Sequence, residues 1–158
     1  MPNQVKTVSQ TRVVLAQVAM PGDANPAGNV HGGTIMKLID NAAGVVAMRH
    51  TRRNVVTASI DRLDFHYPVF VGNLIILKAC LNRVGKTSME VGVRVEAENV
   101  MTGEIRHTAS AYLTFVALDA DGYPTNVPEL ISETLEDKRR LAEAVERYER
   151  RRCTNCRR

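Results

Sequence analysis

The chain has 158 residues, 44% of them apolar and 24% charged. That is the size of one domain and a balance that excludes a disordered chain. No apolar run reaches the roughly 18 residues of a membrane span, and MPNQVKTVSQTR at the start lacks the apolar stretch of a secretory signal. The expectation is a cytoplasmic protein with one core and no membrane association.

The net charge of +4 is concentrated at one end. Residues 138–158 hold nine Lys/Arg against three Glu, and the rest of the chain holds twelve against fourteen acids. A basic tail suggests nucleic acid, but this one has a single aromatic, Tyr148, and no base-reading module. A polyanionic small ligand, or solubility, fits it better, so no nucleic-acid partner is expected. Three cysteines without an export signal do not indicate a disulfide framework. Cys80, in an apolar run, reads as a core residue. Cys153 and Cys156 supply at most two of the four ligands zinc usually takes, so no metal site is expected.

In chain order, residues 11–20 read as a strand ended by Pro21-Gly22, followed by the loop DANPAGNVHGG. Thr34 to about Arg49 has the length of a four-turn helix and apolar side chains nearly all round, so something must enclose it. Four strand-like runs follow, at about 54–67, 73–83, 87–98 and 104–118. Met89, Val91, Val93, Val95 and Ala97 alternate without a fault with Glu90, Gly92, Arg94, Glu96 and Glu98, the pattern of a half-buried strand. Consecutive strands with short turns between them pair antiparallel. The predicted class is therefore α+β: an antiparallel sheet wrapped around one long central helix, the element order of the hot-dog fold. Its open edges call for edge-to-edge dimerisation. Thr134-Leu135-Glu136-Asp137 has the form of a capping box, opening a surface helix with Glu143–Arg147 and Glu146–Arg150 at pairing distance. The chain divides into a domain over 8–128, the helix over 129–152 and a flexible basic tail over 153–158.

Asp40 is out of place among Leu38, Ile39, Ala42 and Ala43. A carboxylate in such a helix has to be hydrogen-bonded, paired or held protonated. It is either a functional group or a structural aspartate facing a polar strip with Lys37 and Asn41. Before the helix, Asn25, Gly28, Asn29, His31, Gly32 and Gly33 crowd together. Free N–H groups at a helix start favour a negative oxygen, so this loop is either an oxyanion site or a tight turn. Gly33 and Asp40, seven apart, share a helix face. Gly85-Lys86-Thr87-Ser88 is not the end of a P-loop, because residue 80, where the first glycine belongs, is Cys80 and a strand follows. It is an ordinary hairpin turn or a phosphate contact.

DANPAGNVHGGTIMKLIDNAAGVVAMRH at 23–50, NVVTASIDRLDFH at 54–66 and VGKTSMEV at 84–91 together resemble the hot-dog acyl-CoA thioesterases. The resemblance runs over about residues 11–135. It implies thioester hydrolysis without a serine nucleophile, Asp40 acting as general base on water or attacking the carbonyl itself. Asn25 from the opposing protomer would position the reactants, and the N–H groups of Gly32 and Gly33 would bind the oxyanion. The CoA phosphates would lie near Val84, Gly85, Lys86, Thr87 and Ser88. It further implies an acyl-CoA substrate, no cofactor apart from the CoA in that substrate, and dimers assembled into a hexamer as a trimer of dimers. Two alternatives compete with this reading. A hot-dog hydratase uses Asp-x-Asn-Pro-x-His, and Asp23 to Ala27 begin that way, but residue 28 is glycine. A non-catalytic acyl-CoA sensor would need no Asp40 and would carry a DNA-binding segment.

Overall fold

In the computed structural model, which describes residues 4–155, the chain opens with a short strand β1 (Lys6–Thr7) and one helical turn α1 (Val8–Thr11). The first long strand, β2 (Val13–Val18), therefore starts two residues later than the sequence pattern suggests. The reason is local: the Gln10 side chain accepts from the Thr7 N–H at 2.9 Å, and the Thr11 hydroxyl donates to the Val8 carbonyl at 2.8 Å, which closes the turn. After the 3₁₀ turn Pro21–Asp23 come α2 (Gly32–Thr51), β3 (Asn54–Phe65), β4 (Leu74–Val84), β5 (Ser88–Glu98) and β6 (Ile105–Leu118). A two-residue β7 (Leu130–Ile131) and α3 (Leu135–Asn155) complete the chain.

The main sheet has five antiparallel strands in the order β2-β4-β5-β6-β3. Pairing of consecutive strands holds from β4 to β6 and fails for β3, which lies beyond β6 with Asn54 opposite Leu118 and Phe65 opposite Ala109. The helix α2 crosses the inner face. Ile35, Ile39, Ala42, Ala43, Val46 and Ala47 meet Leu77, Met89, Val91, Leu113 and Phe115 in one continuous core. A sheet wrapped on one long helix in this order is the hot-dog fold.

The sheet encloses one side of α2 only, a correction to the fully buried helix expected from its composition. Met36 and Met48 are 41% and 44% exposed, and the adjacent edge strand β3 exposes Val56 and Ile60 to a similar degree. An apolar helix face beside an unpaired strand edge is surface left for another chain.

Lys78 and Arg94 on the outer face of the sheet stay about half exposed, but part of that face is covered by α3, where the alternation in β5 suggests solvent. Glu90 is buried there. Its carboxylate accepts from Arg147 Nη2 at 2.7 Å, Arg147 Nε at 3.1 Å and Asn82 Nδ2 at 3.1 Å. The Arg147 guanidinium also sits 3.6 Å from the centre of the Tyr112 ring. Arg151 bonds Asp61 and Thr114, each at 2.7 Å. Neither expected pair within α3 closes: Arg147 turns inward to Glu90, and Glu143 is taken by Arg139. The basic tail thus spends two of its arginines on docking α3. The capping box forms as its motif predicts, with Asp137 N–H donating to Thr134 Oγ1 at 3.0 Å and Thr134 N–H to Asp137 Oδ2 at 3.1 Å. The helix continues to Asn155, so residues 153–155, expected in a flexible tail, are helical. Cys156 lies outside the described residues.

Candidate active site

The loop before α2 is held by its own polar groups. Asp23 accepts from the Met20 N–H through its side chain and from the His31 N–H through its carbonyl, both at 2.9 Å. Asn25 Oδ1 accepts from Ala27 N–H at 3.0 Å and Asn29 N–H at 3.2 Å. The oxygen of Asn25 is therefore committed to the loop, and its Nδ2 amide is left to donate outward. Gly28, where the hydratase signature has histidine, has φ 89°, a left-handed backbone that suits glycine and strains a side chain. This turn is built for glycine, not for an acid–base histidine.

At the start of α2, His31 occupies the N-cap position but its side chain makes no capping bond. The first intrahelical bond is from Ile35 N–H to the His31 carbonyl at 3.2 Å. The N–H groups at Gly32, Gly33 and Thr34 thus point out of the helix end without intrahelical partners. Gly33 faces open space, which lets an oxygen approach its N–H closely.

Asp40 lies two turns further along, on the border between the buried and the open side of α2. It is half-buried, and its Oδ1 accepts from Thr57 Oγ1 at 2.6 Å. This answers the anomaly in the sequence: the carboxylate is hydrogen-bonded from β3 and keeps an open side. Thr57 is a site residue that sequence reasoning missed. It stands in the quoted segment NVVTASIDRLDFH, yet only the packing of β3 beside α2 links positions seventeen apart.

Other predicted residues are not brought together within one protomer. No hydrogen bond joins Asn25 to Asp40. The turn from Val84 to Ser88 is a hairpin closed by Gly85 N–H to the Ser88 carbonyl at 2.7 Å. Its Lys86 and Thr87 carbonyls accept from Val127 at 2.9 Å and Ala117 at 3.0 Å, and the Lys86 side chain is exposed. Ser88 pairs with Val116, which itself pairs with Val56 near the beginning of β3. Gly32 instead lies against Phe65 at the far end of β3. The turn and the helix start are therefore at opposite ends of the sheet.

The clefts under α3, one of about 420 Å³, lie on the outer face and contain neither Asp40 nor Asn25. Cys80, which lines one of them, is buried with Arg140 Nη1 3.3 Å from its Sγ, and burial pushes its thiol up. Among the described residues no group of three or more His, Cys, Asp or Glu is placed to hold a metal ion, and no helix is long and apolar enough to cross a membrane.

An α+β hot-dog domain with an aspartate on the open flank of its central helix defines a class of protein, and comparison with known proteins gives the family. The thioesterase superfamily model matches residues 27–104. An uncharacterized acyl-CoA thioester hydrolase of Bacillus subtilis is 40% identical over 134 residues, 85% of this chain and 78% of that protein. Among solved structures, an apo-hexameric acyl-CoA thioesterase superposes with a TM-score of 0.92 at 38% identity, covering 96% of this chain and 97% of its own. The acyl-CoA hydrolase of Staphylococcus aureus, solved with butyryl coenzyme A, coenzyme A and coenzyme A disulfide, gives 0.89 at 35% identity over 97% and 93% of the two chains. That enzyme has also been solved with an asparagine, an aspartate and a threonine each changed to alanine. Those three positions are separated by fifteen and then seventeen residues, the same separations as Asn25, Asp40 and Thr57 here. This chain belongs to the thioesterase superfamily, and it is a thioester hydrolase.

Proposed function

We propose that the protein hydrolyses acyl-CoA to a fatty acid and CoA in the cytoplasm, with Asp40 as general base. The observation that carries this reading is the Asp40–Thr57 hydrogen bond on the helix flank that also leads to the unpaired N–H groups of Gly32 and Gly33. At 1.5 Å of rise per residue, Gly33 and Asp40 are about 10.5 Å apart along the axis. That separation leaves room for a water between the Asp40 carboxylate and a carbonyl held at Gly33. Asp40 takes a proton from that water as its oxygen bonds to the thioester carbon. Gly32 and Gly33 hold the oxyanion, and collapse of the adduct expels the CoA thiolate, which recovers the proton. Thr57 fixes the Asp40 carboxylate and leaves its second oxygen for the water. Thr57→Val is expected to lower kcat about tenfold or more, with a small change in KM, in steady-state thiol release.

The working unit we propose is a dimer, assembled into a hexamer as a trimer of dimers, the hexameric relative supporting the larger assembly. Antiparallel pairing of two β3 edges would cover Met36, Met48, Val56 and Ile60. It would also place the start of one β3 beside the end of the other. The Val84 to Ser88 turn of one protomer then comes to the Gly32 end of its partner, where it would hold the CoA phosphates. The free Nδ2 of Asn25 would reach across in the same way. Mixing Asn25→Ala and Asp40→Asn chains is the test: heterodimers carry one intact site of two and should regain activity that neither homodimer has. Verified heterodimers that stay inactive would place the whole site in one chain.

A further inference from the structure

The Cys-Thr-Asn-Cys motif at 153–156 takes no part in the site described above. Within one chain its two cysteines supply half of the four ligands that a structural zinc takes. The course of α3 decides whether a second copy can supply the rest.

That helix crosses the outer face of the sheet strand by strand. Arg140 Nη1 lies 3.3 Å from Cys80 Sγ on β4, and Arg147 Nη2 donates to Glu90 on β5 at 2.7 Å. Arg151 Nη1 bonds Thr114 on β6 at 2.7 Å, and Ser59 and Asp61 on β3 at 3.2 Å and 2.7 Å. From Arg140 to Arg151 the helix rises about 16 Å. The three steps from β4 to β3 in the sheet order span about 14 Å. The helix therefore runs nearly straight across the strands and ends over β3, the edge strand. Ser59 and Asp61 lie at the middle of that strand, Asn54–Phe65. Antiparallel pairing of two β3 edges over their full length puts the twofold axis at the same place. Two α3 helices then arrive from opposite sides and end next to one another. Cys153, exposed and two residues past Arg151, is carried to the axis from both chains.

The charge around the motif suits the same ligand. Residues 150–158, RRRCTNCRR, hold five arginines and no acidic side chain. Among the described residues only Arg151 of these has a carboxylate partner, Asp61. Such clusters from two chains repel one another when brought together. They also lower the pKa of neighbouring thiols toward the thiolate, the form that binds a metal. Four thiolates around one Zn²⁺ carry a net charge of −2, which the arginines offset.

We infer that the two motifs of a dimer bind one zinc ion at the twofold axis, through Cys153 and Cys156 of each chain. Binding releases the thiol protons and changes no oxidation state. The inference rests on the β3-paired dimer proposed above, and adds to it a metal site that ties the two subunits together.

The test uses the full-length protein, reduced and stripped of metal, with Zn²⁺ added alone. Titration is expected to end at one ion per two chains, and Cys153→Ser and Cys156→Ser should each abolish tight binding. Zinc should slow subunit exchange between labelled and unlabelled wild-type protein about tenfold or more, and leave exchange in Cys153→Ser unchanged. It should not alter the sedimentation of the wild type, because it links chains that are already paired. One ion per chain, a mass raised by zinc, or tight binding that survives in the double variant Cys153→Ser with Cys156→Ser overturns the inference. A wild type that sediments as a dimer or hexamer and binds no zinc overturns it alone. A wild type that sediments as a monomer with and without zinc overturns the dimer reading as well.

Discussion

Asp40→Asn is expected to lower kcat for acyl-CoA hydrolysis at least about a hundredfold while leaving the fold intact. The two side chains have the same shape, and the asparagine Oδ1 still accepts from Thr57, so the local packing is kept. What is lost is the group proposed to take the proton from water. Circular dichroism and Tm close to wild type, with turnover collapsed, is the expected pair of results. Near-normal turnover in the folded variant would contradict the mechanism. A single turnover in ¹⁸O water adds the route. With Asp40 as base, the label enters the fatty acid and Asp40 stays unlabelled, whereas label recovered in Asp40 marks attack by its carboxylate and an anhydride.

The second large effect concerns stability. Glu90→Ala removes the partner of a guanidinium that is largely buried under α3, and strands the amide of Asn82 with it. Breaking one side of a buried ion pair typically costs about 3–5 kcal/mol, because the remaining charge is left without solvent or partner. The loss should appear in urea or thermal unfolding. Replacing the pair together, Glu90→Leu with Arg147→Met, should cost far less than the single change, since no charge is then left buried. A Glu90→Ala cost below about 1 kcal/mol would show that α3 is docked by its apolar contacts alone.

The inner half of this fold was legible because it is local. Met89, Val91, Val93 and Val95 alternate perfectly, and all are buried against α2. Their neighbour Glu90 was expected in solvent, and the error has a specific cause. The α3 sequence offers Glu143 and Glu146 as nearer partners for its arginines, so nothing in a linear reading sends Arg147 to Glu90. The place of β3 was hidden for a similar reason: several strands of like pattern can pair antiparallel, and tertiary packing decides which do. At the site, Asp40 declared itself as a charge among apolar residues, and the glycines before α2 as a helix start without a cap. Thr57 gave no such signal, being one of several polar residues on an edge strand. The turn at 84–88 and Asn25 were identifiable by motif, but within one chain they meet nothing of the site. The roles proposed for them require a second protomer.

The proposed role of Asp40 is to drive acyl-CoA hydrolysis. Its most direct test is free-thiol release from a panel of acyl-CoAs, short to long, with wild type and Asp40→Asn side by side. Thiol release by the wild type that is lost in Asp40→Asn is the predicted result. Acyl-CoAs left uncleaved by a wild type that still binds CoA, or cleaved equally by both proteins, would contradict it.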